Sequence, residues 1–152
     1  MKPLTPPRND FLLGRQIGGS AVPRQSIDID TFHHGAIPIP AACRVDNIVV
    51  TGAISGYDVQ TGRHAEGMQA QCALMFSHLS AVLVAAGAGP EHIVRMTFYV
   101  KSPEARPFIN EEWVKLFPDP ASRPARHTIN YETPKGSLMQ CDAMAVLPRD
   151  AV

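Results

Sequence analysis

Arginine can hold a carboxylate through two parallel N–H donors, and Arg126 stands just before His127 to Tyr131, a stretch that reads as a strand. A solvated surface arginine fits the same segment, Arg123-Pro124-Ala125-Arg126-His127. Asn110 lies between Ile109 and the Glu111-Glu112 pair on a segment with helical spacing, where its amide can tie helix to loop or face water. Gln140 and Asp142 are two apart on an alternating segment, so they share one strand face. Together they can hold a water, or they are simply the polar residues of a wet or interfacial face. The other reactive groups are dispersed. The histidines at 33, 34, 64, 78, 92 and 127 make no metal-ligand spacing, and the His33-His34 pair would point to opposite faces of a strand. Adjacent Ser77 and His78 on a helix cannot form a nucleophile–base pair. Cys43, Cys72 and Cys141 are odd in number and form no CxxC, which argues against a disulfide scaffold or a zinc knot; Cys141 reads as a core thiol. With no GxGxxG, Walker A, HExxH or GxSxG pattern, the expectation is a site without metal or organic cofactor.

The elements that must position these residues follow from periodicity. Residues 1–25, rich in Pro and Gly, read as an extension holding one apolar cluster, Phe11-Leu12-Leu13; residues 26–152 read as one domain. Ile27, Ile29 and Thr31 alternate with aspartates as a strand that ends at His33-His34-Gly35. Residues 43–51 give two strands around an Asp46-Asn47 turn, and residues 52–62 read as loop. Met68, Cys72, Met75, Phe76, Leu79, Val82, Leu83 and Ala86 form one stripe of a helix from His64 to Ala86, with Gln71 and His78 off the stripe and Gly87 at C′. A strand over 93–100 follows, with Val94, Met96, Phe98 and Val100 on one face. A helix over 105–117 and strands over 127–131 and 138–146 complete the order. In the last strand the small apolar set Met139, Cys141, Ala143, Ala145 and Leu147 suits close approach of a helix. Two helices cover one face of such a sheet. The opposite face keeps apolar residues such as Met144 and Val146, which favours self-association.

Composition narrows the function classes. The 152 residues carry 14 basic and 14 acidic side chains, so net charge is zero and the basic footprint of a nucleic-acid binder is missing. Apolar residues make up 45% and charged residues 18%, as in a folded domain with a real core. The first ten residues, MKPLTPPRND, lack the apolar region of a signal peptide, and no run approaches 18 apolar residues. A reducing, cytoplasmic location without membrane contact is the expectation.

Several stretches, in order, resemble the RidA/YjgF family of reactive-intermediate deaminases over about residues 34 to 147. They are Asn47-Ile48-Val49-Val50-Thr51-Gly52, Gln71, the run Leu79 to Gly87 (LSAVLVAAG) and Arg95-Met96-Thr97-Phe98-Tyr99-Val100. Phe108-Ile109-Asn110 with Trp113 and Phe117, then Pro124-Ala125-Arg126 and Ala143-Met144-Ala145-Val146, complete the set.

The resemblance implies an α+β, chorismate-mutase-like fold, a mixed sheet packed against two helices, assembled as a homotrimeric barrel with clefts between subunits. It implies hydrolysis of small carboxylated enamines or imines with release of ammonia, with a 2-aminomuconate-like substrate as one form. A non-catalytic trimeric module binding a small carboxylate metabolite is the alternative, and RNA cleavage a third. Arg126 matches the family's carboxylate-binding arginine, and Asn110 a motif position near the cleft. Thr128 stands where many members have Cys, with backbone groups that can orient substrate or water. Two positions depart from the pattern. Ile39 occupies the place of a substrate-side tyrosine, and Gln140 replaces the glutamate thought to activate water. Gln140 can bind a water but cannot take its proton. Asp142, on the same strand face, is the remaining candidate for proton transfer.

Overall fold

The computed structural model describes residues 22–151; the expected Phe11-Leu12-Leu13 cluster and most of the 1–25 extension lie outside the described residues. Strand β1 (Gln25–Ile27) pairs antiparallel with β2 (Ala42–Val45), which turns through Asp46-Asn47 into β3 (Ile48–Thr51). Asp46 takes the left-handed conformation that this two-residue turn needs (φ 54°). Two-residue strands follow: β4 (Ile54–Ser55), then β5 (Tyr57–Asp58) paired with β6 (Arg63–His64). Helix α1 (Met68–Ala85) leads through a 3₁₀ turn at Pro90–His92 into β7 (Ile93–Val100). Helix α2 (Arg106–Leu116), β8 (Ala125–Asn130) and β9 (Met139–Val146) complete the domain.

The sheet runs β1-β2-β3-β9-β7-β8, with β4 also on β9; all pairings are antiparallel except β7 with β8. The α+β class therefore stands, and the expected chorismate-mutase-like barrel is corrected: the sheet is open, not closed. Closure needs the first and last strands to bond to each other. Among the described residues β1 and β8 are opposite edges, each paired on one side only, with four strands between them.

Both helices lie on one face. Helix α1 meets the small side of β9, where Cys141, Ala143 and Ala145 let its backbone approach. Phe98 of β7 is the aromatic hub, its ring 5.7 Å from Phe76 of α1 and 6.2 Å from Trp113 of α2. By length and mean hydropathy (1.4) α1 could cross a membrane, but its apolar stripe is spent on this core. Gly87 (φ 78°) ends the helix in a Schellman motif, with Ala88 N–H donating to the Leu83 carbonyl at 2.8 Å. Gly56 has another role. A Cβ there would clash with the Gln71 carbonyl, so the bare backbone lets α1 sit directly on the β4–β5 connection.

Several boundaries differ from the sequence reading for physical reasons. His64 pairs with Tyr57 in β6, so α1 begins four residues later than the expected His64 start, at Met68, the first residue of the apolar stripe. Gln71 and His78 are buried rather than off the stripe, because each polar group meets distant backbone. Gln71 donates to the Gly136 carbonyl at 3.0 Å and accepts from Leu138 N–H at 2.8 Å, while His78 Nδ1 donates to the Ser55 carbonyl at 2.8 Å. A register shift between Ile93 and Arg95 reverses the start of β7, burying Ile93 and exposing Val94. Residues expected as loop hold β4 and β5, and β8 starts two residues earlier than its apolar content shows.

The uncovered sheet face carries Ile48 opposite Val146 and Val50 opposite Met144, with Ile48, Val50 and Val146 all exposed. These are in-register apolar pairs on a surface that the two helices do not reach.

Candidate functional site

Arg126 and Asn110 come together. In the parallel β7–β8 register Arg126 lies beside Met96 and Thr128 beside Phe98, so both side chains stand on the helix-covered face. Asn110 projects from α2 onto the same place and accepts a hydrogen bond from Arg126 Nη2 at 2.6 Å. Arg126 Nε lies 3.4 Å from Thr128 Oγ1 as donor. The guanidinium carbon sits 5.1 Å from the Trp113 ring centroid and 5.6 Å from that of Phe98, a cation on an aromatic floor. Arg106, in the first turn of α2, donates to the Thr128 carbonyl at 3.3 Å, bringing a second cation to the same threonine. Burial, and then the Arg106 charge, lower the Arg126 pKa from the ordinary arginine value. Among the described residues no carboxylate lies within ion-pair distance of either arginine. Two guanidinium groups, one half-buried, thus converge without a counter-ion.

Gln140 lies elsewhere. Its neighbour Cys141 is buried toward the helices, so strand alternation sends Gln140 to the opposite face, where it stands across from Ser55 of β4. It lines a cavity of about 340 Å³ with Phe32, His33, His34, Ser55, Tyr57, His64 and Ser137. The wall is held from beneath the sheet: the Gln71 clamp fixes residues 136–138, and His78 fixes the Ser55 carbonyl. One chain therefore does not bring Arg126 and Thr128 together with Gln140.

Two expected residues stand apart from this cavity. The exposed Ile39 does not line it, and Ile37 does. Asp142 accepts from the Tyr99 hydroxyl at 3.0 Å, and this bond is the first cause of a raised Tyr99 pKa. The thiols belong to the core. Burial is the main cause in pushing Cys72 up to about 12, and burial likewise pushes Cys141 up, so both stay protonated and unreactive at neutral pH.

Sequence reasoning missed the histidines of the cavity. His33 and His34 follow β1 in a loop, where strand alternation does not separate them, and His64 arrives on a hairpin whose strands are two residues long. Only the Tyr57-to-His64 spacing around Thr61-Gly62 hinted at a hairpin.

A protein-family model described as endoribonuclease L-PSP matches residues 38–147. A RutC family protein of Aquifex aeolicus is 28% identical over 110 residues, covering 72% of this chain and 88% of that protein. The 2-iminobutanoate/2-iminopropanoate deaminase of Dermatophagoides farinae is 26% identical over 112 residues, covering 72% of this chain and 86% of its own length. Among solved structures, RidA of an Antarctic Psychrobacter superposes with a TM-score of 0.74 at 24% identity, over 81% of this chain and 99% of that one. That likeness is one of fold.

Proposed function

From a chain that belongs to the RidA/YjgF (endoribonuclease L-PSP) family, we propose a hydrolytic deaminase acting on small carboxylated enamines or imines. The observation that carries this reading is the half-buried Arg126, oriented by Asn110 and the aromatic floor and lacking an acidic partner among the described residues. A desolvated guanidinium without an anion favours a carboxylate ligand, because the pair regains the charge compensation that burial removed. The imino-acid deaminase among the relatives gives the reaction class. In the proposed reaction the substrate carboxylate pairs with Arg126, and the enamine tautomerises to an imine. A water held at Gln140 adds to the imine carbon, and the carbinolamine expels ammonia to leave a keto acid. The Thr128 carbonyl and hydroxyl fix both arginines. With Arg106 beside Arg126, the finer reading is a dicarboxylate, of which an aminomuconate-type acid is one.

Because Arg126 and Gln140 occupy opposite sheet faces, a substrate touching both bridges two copies of the chain. We place the reaction in clefts between subunits of a homotrimer, with the exposed Ile48, Val50 and Val146 supplying contact area. Light scattering is expected to give about three times 16.5 kDa at micromolar concentration; a stable monomer there removes the shared cleft.

The function itself is tested by ammonia release from freshly generated imino acids, with monocarboxylates and dicarboxylates compared. Turnover with a preference for dicarboxylates is the expected result. The neutral Gln140 favours a second reading, a carboxylate-binding module without turnover. Keto acids that bind through Arg126 while no panel member releases ammonia would establish that reading instead.

A further inference from the structure

Gln140 lines a cavity in which water must lose and regain a proton, yet an amide cannot carry one at neutral pH. Three imidazoles line the same cavity: His33, His34 and His64. Two are set aside. His34 Nε2 lies 2.7 Å from the Ala53 carbonyl, which can only accept, so Nε2 keeps its proton; the remaining Nδ1 has no partner among the described residues but is sealed from water. His33 Nδ1 accepts from the Gly35 N–H at 3.0 Å, which uses its lone pair. His64 differs from both. Among the described residues neither of its ring nitrogens makes a hydrogen bond, and the side chain is half-buried rather than sealed. It is nonetheless well held. Tyr57, its cross-strand partner, meets the ring edge-on with centroids 5.4 Å apart. On the Nδ1 side the ring lies against Gly136, where a Cβ would come within 3.2 Å of Nδ1. The Nε2 edge is the one left for the cavity.

We infer that His64 is the proton-exchanging residue of the Gln140 cavity, standing in for a carboxylate that the chain does not supply at position 140. This inference rests on the deaminase reading. Neutral His64 takes a proton from the water as the water oxygen bonds to the imine carbon. The C=N π pair moves onto nitrogen, which takes that proton from the imidazolium. The imidazole then moves the proton of the new hydroxyl to nitrogen; the C–N bond breaks with its electron pair leaving on ammonia, and C=O forms. One water is consumed, one ammonia leaves, and His64 returns to its starting state with no change of oxidation level.

The surroundings favour a neutral ring. Burial lowers the His64 pKa from 6.5. The titratable groups on its hairpin and in the cavity lining are Tyr57, Asp58, Arg63, His33 and His34; Glu66 follows it in the chain before α1, Lys135 precedes Gly136, and Gln71 of α1, which holds that turn, is uncharged. The cavity-lining set among these contains no carboxylate to hold the imidazolium.

The test has two arms on the full-length protein. In the first, kcat/KM for ammonia release is followed against pH for wild type and His64→Gln. Wild type should lose activity as pH falls through a value below 6.5. His64→Gln should lose that limb and about 10²–10⁴-fold in kcat, with little change in KM. In the second arm, the imidazole signals of the wild type are titrated by NMR with and without 2-oxobutanoate, a product-type keto acid. The His64 apparent pKa should move on addition of the acid. This arm needs no variant, so it decides the matter should His64→Gln misfold. An active wild type whose His64→Gln variant keeps both its rate and its acid limb overturns the role of His64 alone, as does a His64 signal indifferent to keto acid. A wild type inactive on every imino acid overturns the deaminase reading, and this role with it.

Discussion

Arg126→Ala should reduce kcat/KM for a carboxylated imine by roughly 30- to 900-fold, about 2–4 kcal/mol, on the scale of a charge-assisted pair lost from a half-buried site. Most of the loss should fall on KM. The carboxylate does not change charge along the reaction, so the pair forms equally in ground and transition states and contributes uniform binding. Arg126→Lys should rescue little. An ammonium offers no planar fork to satisfy both the carboxylate and the Asn110 amide, and it cannot spread over the Trp113 ring. Arg106→Ala separates the ligand classes: it should affect a dicarboxylate more than a monocarboxylate, since Arg106 reaches only the edge of the site at the Thr128 carbonyl. Steady-state kinetics on the three variants decides between these outcomes. Unchanged turnover in Arg126→Ala would falsify the assignment of this arginine to the substrate.

The neighbours of that arginine show what a sequence can and cannot disclose. The alternation of Met139, Cys141, Ala143 and Ala145 announced the close approach of a helix, and the helix is there. Strand 93–100 was legible end to end because both its faces alternate, but the register shift after Ile93 reversed its first two residues without any mark in composition. Gln71 and His78 were invisible as core residues for a different reason. Hydropathy counts a glutamine or histidine as polar, whereas burial depends on whether its donors and acceptors are met. Theirs are met by backbone 65, 67 and 23 positions away. The Arg126–Asn110 bond spans 16 residues and two elements, so only the family resemblance suggested the pair. The separation of Arg126 from Gln140 depends on a parallel register with β7 on one side and an antiparallel one on the other, and neither is written in local sequence. The openness of the sheet is a similar case. The longer strands were nearly in place, yet strand count and order say nothing about whether the two edges meet.

The same helix-covered face makes stability and binding interdependent at Phe98, where the largest loss of stability is expected. Phe98 is fully buried at the centre of β7, stacked near Phe76 and edge-on to Trp113. Phe98→Ala removes the ring that joins both helices to the sheet. The loss should be about 3–5 kcal/mol, because flanking aromatics anchored on separate helices cannot collapse into the space. For a domain of this size that corresponds to roughly 6–20 °C in melting temperature. Phe98→Leu keeps most of the volume and should lose well under half as much. The ring is also part of the floor beneath Arg126, so both variants should weaken keto-acid binding beyond what partial unfolding explains, by about 0.5–2 kcal/mol. Thermal melts report the first effect. Calorimetric titration with a keto acid, run well below the melting transition, reports the second. A Phe98→Ala protein that melts like wild type would mean the helices are held to the sheet by other contacts. A Phe98→Leu protein that binds like wild type would mean Trp113 alone carries the cation.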